Sequence, residues 1–257
     1  MSRLSASVEK PFTKTLQWKN EKFDKKTKSV TQEKGWYYYV KSEVEGEKGT
    51  NIMLEAPFTF VWLTSATSFT GYNEAENKSI YSNEVLSEKD LKELFKRNSN
   101  ENVEDYYSRI KSYMSLRAKL GDEEIATGLY KDIKDQVVAK GGKYCQPVYG
   151  LLITNEGTEI VRFLMSGSSS QTWIPFANPH KLRTMGVAFT GETVEQSKGS
   201  NDYESPAFKY VPVEKSILKE ADEAAMKVNE YFKFLLSESE ENLTPAEVAE
   251  EDDFMNS

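Results

Sequence analysis

Residues 50–72 read "TNIMLEAPFTFVWLTSATSFTGY". β-Branched and aromatic residues dominate this stretch, and Pro57 is the one residue that cannot donate to a strand ladder. The stretch therefore reads as two strands meeting at Pro57, and it sets the class of the fold. The same chemistry recurs on either side. "TKTLQWKNEKF" (13–23) and "GWYYYVKSEVEG" (35–46) read as strands, and "NEAENKSIYSNEV" (73–85) as a loop leading into a short one. "KYCQPVYGLLITNEGTEIVRFLMSG" (143–167) reads as a hairpin turning at Asn155-Glu156-Gly157. "TMGVAFTGETVEQ" (184–196) and "YESPAFKYVPV" (203–213) add two more strands.

Three segments have helical spacing instead. "SEKDLKELFKR" (87–97) has Ser87 at an N-cap position with Asp90 three residues on. "GLYKDIKDQVVAKGG" (128–142) places Leu129, Ile133 and Val137 on one face and stops at Gly141 or Gly142. Ile217, Ala221, Ala224, Val228, Tyr231 and Leu235 make residues 214–236 a long amphipathic helix. "DYYSRIKSYMSLRAKLG" (105–121) fits two periods. Tyr106, Ile110 and Tyr113 would share a helix face, whereas Ile110, Met114, Leu116, Ala118 and Leu120 alternate as in a strand; the alternation predicts strand from about residue 110. "SSSQTWIPFANPHK" (168–181) reads as a loop or short helix. The sum predicts a mostly β fold with added helices: a mostly antiparallel barrel or curled sheet capped by helices over residues 13–236, a flexible segment before it (1–12) and a disordered acidic tail after it (237–257).

Charge is divided along the chain. The net charge is −8, and eight acidic residues follow Ser237 with no Lys or Arg among them. Residues 1–236 are therefore neutral overall. Such a tail repels itself and buries almost nothing. Phe254, placed directly after Asp252 and Asp253, gives the tail an aromatic for a docking pocket while the acids steer. No stretch approaches the length of a membrane span, no leader-like apolar run opens the chain, and one cysteine allows no internal disulfide, so a cytoplasmic setting is expected.

Catalytic motifs are few. His180 and Cys145 are the only residues of their types and nothing in the sequence places them together. No phosphate-binding glycine motif and no zinc-ligand spacing occurs, so no cofactor and no metal are expected. The abundant carboxylates leave open a metal-dependent nuclease, and the tail leaves open a structural or assembly protein.

Strand alternation offers a binding surface. In "WYYYVK", Trp36, Tyr38 and Val40 share one face, and Tyr37, Tyr39 and Lys41 the other. In the strand expected after Ile110, Lys111, Tyr113, Arg117 and Lys119 oppose the apolar side. Rings stack on unpaired bases and cations neutralise phosphates, so a face carrying both suits single-stranded nucleic acid; packing against a neighbouring element is the competing use of each tyrosine. Lys131, Lys134 and Lys143 extend the basic set, although Asp132 and Asp135 make an ordinary solvated helix face the competing reading. Trp173 could stack or plug the core, and Phe208 with Lys209 is balanced in the same way.

The acidic tail with its aromatic resembles that of bacteriophage-type single-stranded DNA-binding proteins. "PFTFVWLTSATSFTGYNEAENKSIYSNEV" (57–85), "GLYKDIKDQVVAKGGKY" (128–144) and "YESPAFKYVPV" (203–213) are similar to phage and mobile-element replication proteins. The resemblance implies an OB-fold body that coats single-stranded DNA in the host cytoplasm. It also implies a tail (Asp252, Asp253, Phe254) that recruits replication or recombination proteins. One departure stands: in that family the aromatic is the last residue, whereas Met255, Asn256 and Ser257 follow Phe254 here.

Overall fold

The computed structural model describes residues 9–238 apart from 25, 28, 43–48, 199 and 200. The chain begins with β1 (Lys14–Lys19), β2 (Lys22–Phe23), β3 (Val30–Gln32), β4 (Gly35–Val40), β5 (Thr50–Leu54) and β6 (Phe58–Asn73). It continues through β7 (Lys78–Ser82), β8 (Val85–Leu86), α1 (Glu88–Leu94), α2 (Val103–Tyr113), β9 (Leu116–Leu120), β10 (Glu123–Gly128) and α3 (Tyr130–Ala139). Then come β11 (Gly142–Thr154), β12 (Gly157–Ser166), α4 (Ser168–Phe176) and α5 (Pro179–Leu182). The last elements are β13 (Gly186–Phe189), β14 (Thr193–Lys198), β15 (Asn201–Pro206), β16 (Lys209–Val211) and α6 (Lys215–Glu238).

The fold is mostly β, with α6 as the long C-terminal helix. Among the described residues, twelve strands join in one sheet whose main path runs β10-β9-β7-β6-β11-β12-β1-β4-β5, so β10 and β5 are its edges there and the path does not close into a ring. β13 adds to the first residues of β6 and carries β16 outside it, and β8 pairs with the middle of β6. β1 runs parallel to β12, the one departure from antiparallel pairing among the described strands of this sheet. β2–β3 and β14–β15 are separate two-stranded hairpins.

The expected break at Pro57 separates β5 from β6, through a cis Ala56–Pro57 bond. β6 is long because both of its faces are covered. Phe58 and Phe60 join Leu16, Trp36, Val161 and Phe163 in one cluster, while Val61 and Leu63 join Tyr149, Leu151, Ala224 and Val228 in another. α4 lies against the first cluster through Trp173, and α6 against the second. A bulge at Leu63, between Trp62 opposite Gly150 and Thr64 opposite Tyr149, lets one strand serve two stretches of sheet. Beyond it Phe69, Ile80, Leu116, Leu120, Ile133 and Val137 form a third cluster, which seats α3. α3 stops where expected, with Gly141 at φ +104°, and a Cβ there would come within 2.7 Å of the Tyr72 carbonyl. The α6 stripe is as expected through Tyr231, then shifts to Phe232 and Leu236, which are buried in place of Leu235.

The strand expected from residue 110 is corrected. Residues 103–113 are helix α2, and only Leu116, Ala118 and Leu120 of the alternating series form β9. Local capping decides it: the Asn102 side chain accepts from the Asp105 N–H at 2.8 Å, Glu104 and Asp105 occupy the first turn, and Ile110 is buried beneath Tyr106 and Tyr113. Lys111 and Tyr113 are therefore helical and do not share a strand face with Arg117 and Lys119. The segment expected to be one strand at 203–213 is divided into β15 and β16, because Phe208 turns into the first cluster. The segment 168–181 holds two short helices, α4 and α5. Phe12, expected in a flexible segment, packs edge-on against Tyr149 and Tyr231 at 5.7 and 6.0 Å between ring centroids. Residues 1–8 and 239–257, which include Asp252, Asp253 and Phe254, lie outside the described residues. No helix among the described residues is long and apolar enough to cross a membrane.

One ion pair sits inside the α6 side of the sheet. Arg162 on β12 donates to Glu84 at 2.8 Å, and the Tyr149 hydroxyl donates to the other Glu84 oxygen at 2.6 Å. Burial pushes the Tyr149 hydroxyl well above its ordinary pKa, and the neighbouring Glu84 adds to this. The guanidinium also lies over the Phe12 ring at 4.8 Å. Both charged side chains are 13% exposed. Removing one partner strands the other charge, so Arg162→Met is expected to lose about 3–5 kcal/mol of stability in urea unfolding. The double substitution Arg162→Met with Glu84→Gln should recover part of that loss.

Candidate nucleic-acid interface

β4 places its aromatic residues on alternate faces. Trp36 is fully buried and meets Phe163 and Trp18 edge-on at 5.3 and 5.7 Å. Tyr37 and Tyr39 take the other face and are half-buried. The Tyr37 hydroxyl donates to the Glu33 carbonyl at 2.9 Å, and Lys19 Nζ sits 5.9 Å from the centre of its ring. Burial raises the Tyr37 pKa, aided by Glu33; burial lowers that of Lys19, aided by the like charge of Lys22. The Tyr39 hydroxyl accepts the Gly49 N–H at 2.8 Å. Both phenols are thus anchored at the hydroxyl. Lys41 follows directly and is exposed.

Cross-strand register locates this face. Met53, Tyr37, Gln17, Leu164 and Pro147 stand opposite one another across β5, β4, β1, β12 and β11. Pro147 shares its side of β11 with Lys143 and with Tyr149, which packs on Phe232 of α6. Tyr37 and Tyr39 therefore project from the α6 side of the sheet, on the β1–β4–β5 wing.

A second group lies at the opposite end of the same side. Lys143, Thr70, Tyr81 and Lys119 are in register across β11, β6, β7 and β9. Three strand spacings separate the outer lysines, about 14 Å at the usual inter-strand distance. Arg117 is two residues from Lys119 on the same face, opposite Thr127. The Tyr81 hydroxyl donates to the Gly121 carbonyl at 2.7 Å. Glu124, opposite Lys119, offsets part of the charge.

The remaining expected contacts fall elsewhere. Lys111 is exposed on α2, and Tyr113 is held by Phe95 at 4.8 Å. Lys131 and Lys134 are exposed on α3, which packs on Phe69 and so covers the side opposite Thr70 and Lys143. Trp173 does not reach solvent: it is 0% exposed, seated against Phe60, Phe176 and Phe208. Phe208 also lies 6.4 Å from Trp36, inside the same cluster. Lys209 pairs with Glu192 at 2.7 Å. Trp173 is a core residue, and Phe208 is half-buried and packed against the same cluster. His180 is exposed on α5 and Cys145 is buried on β11. Among the described residues no three His, Cys, Asp or Glu side chains are grouped to hold a metal.

Sequence reading passed over Lys19, Gln17 and Tyr81. The alternation of "TLQWK" (15–19), with Leu16 and Trp18 inward, carries the signal for the first two. Tyr81 joins the lysines only through strand pairing. No family model, curated protein or solved structure matches the chain.

Two measurements check these placements. Trp173→Ala is expected to cost about 3–5 kcal/mol in urea unfolding, as for other buried large aromatics. The second concerns Lys34, which bonds Glu204 at 2.5 Å; this bond and one from Thr193 hold the Glu204 carboxyl below its ordinary pKa. Stability from a lowered carboxyl is present above its unfolded pKa and is lost as the pH falls through the folded one. Lys34→Met should therefore narrow the stability difference between neutral and acid pH in thermal melts across that range.

Proposed function

We propose that the protein binds single-stranded DNA without sequence preference and coats it during replication or recombination, with no catalytic step of its own. The curled sheet serves as an OB-like platform. The observation that carries this reading is that both aromatic–cation groups, Tyr37, Tyr39 and Lys19 on one wing and Tyr81, Lys119 and Lys143 on the other, project from one side of one sheet. Unpaired bases stack on the rings, and the lysines and Arg117 meet the phosphates. Hydroxyls tied to backbone groups hold the rings in place before a strand arrives, which reduces the ordering cost of binding.

The neutral body suits a binder driven by stacking rather than by a high positive field. The acidic tail supplies the remaining part of the reading. α6 lies on the same side of the sheet, with Phe232 near its end packed on Tyr149. The residues that follow α6 are the polyanion. A polyanion tethered on the side that carries the lysines competes with DNA when the face is empty. It is released to replication or recombination proteins, through Asp252, Asp253 and Phe254, when a strand is bound.

Tyr37→Ala with Tyr39→Ala is expected to weaken binding to a labelled oligothymidylate by about ten-fold or more, at about 1–3 kcal/mol per stacked base. Truncation at Ser237 should raise affinity and abolish partner capture. An unmutated protein without affinity for the oligonucleotide, or with magnesium-dependent cleavage of it, overturns the reading.

A further inference from the structure

We infer that the β2–β3 hairpin is a nucleic-acid-binding arm, in which Phe23 stacks on a base and Lys22 meets the backbone beside the Tyr37 face. The inference rests on the single-strand reading and extends it to a segment that reading does not use.

Phe23 and Val30 stand directly opposite each other across the hairpin, and they are 56% and 48% exposed. A two-stranded hairpin is marginal unless its apolar side chains are buried. This one is held by polar bonds instead. The Asp24 carboxylate accepts the Lys26 and Thr27 N–H groups at 2.6 and 2.9 Å, Asp24 N–H donates to the Ser29 carbonyl at 2.9 Å, and the Gln32 amide donates to the Asn20 carbonyl at 2.9 Å. The exposed pair thus belongs to none of the three core clusters.

Charge selects the occupant. Residues 19–34 hold six lysines against three acids, within a body that is neutral overall. Lys22 is near enough to Lys19 to act on its charge, and Lys19 lies over the Tyr37 ring. The arm therefore continues the same aromatic and cationic surface beyond the paired ends of β1 and β4, at Lys19 and Gly35. An exposed ring among lysines fits a stacked base with its phosphate.

The test titrates full-length protein into labelled oligothymidylate at several salt concentrations, with Phe23→Ala, Phe23→Trp, Lys22→Gln and Tyr37→Ala in parallel. Phe23→Ala is expected to lose about ten-fold in affinity with an unchanged thermal melt, and Phe23→Trp to retain it. Lys22→Gln should lower the slope of log affinity against log salt by about 0.7. Full affinity in Phe23→Ala, or an unchanged slope in Lys22→Gln, overturns the arm, and with Tyr37→Ala still weakened it leaves the sheet interface standing and reassigns the exposed pair to a protein partner. No affinity in the unmutated protein overturns both.

Discussion

The packing of Phe60 on Phe163 across Gly150 is the contact on which the sheet depends. Their ring centres are 4.5 Å apart, and a Cβ at Gly150 would come within 2.7 Å of Phe60. Only a residue without a side chain lets β6 and β12 bring these rings together over β11. From that point the first cluster spreads outward through Trp36, Phe58 and Trp173. Aromatic pairs of this kind contribute about 0.5–1.5 kcal/mol each beyond the area they bury. Their larger effect here is geometric, because a wall of rings fixes which side of each neighbouring strand faces out.

That constraint reaches the candidate interface. Trp36 is committed to the core, so Tyr37 and Tyr39 must take the other side of β4. Phe69 is committed to α3, so Thr70 and its cross-strand neighbours Tyr81 and Lys143 face away from that helix. The two groups emerge on one side although they are far apart in sequence. α6 and the Arg162–Glu84–Tyr149 network occupy the middle of that side and separate them. The helix that closes the core also ends on the side that carries Tyr37 and Lys143.

Much of the fold was legible from local pattern. The break at Pro57, the hairpin at Asn155-Glu156-Gly157, the cap at Ser87, the glycine stop of α3 and the C-terminal helix each follow from a few neighbouring residues. Residues 110–113 are helix where alternation predicts strand, because two periods overlap there; capping at Asn102 and burial of Ile110 decide which prevails. The candidate site was legible only in part. Tyr37, Tyr39 and Lys119 stand where alternation places them, and Lys143, grouped in the sequence with the α3 lysines, joins Lys119 only through strand pairing. Trp173 is in the core, Phe208 is half-buried against it, and Lys131 and Lys134 lie on the side turned away.

By itself the sequence determined the class of the chain: mostly β, with an amphipathic C-terminal helix, a neutral body and a polyanionic end. These are properties of composition and of short-range period, which do not depend on what a segment packs against. Tertiary structure alone decided the strand order, the parallel pairing of β1 with β12, the open edges at β5 and β10, and the meeting of Lys143, Tyr81 and Lys119. Strand pairing joins residues of any separation, and alternation specifies two faces without saying which neighbour covers either. The identity of the covered face is set when α3, α4 and α6 dock, and with it which rings stay outside the core.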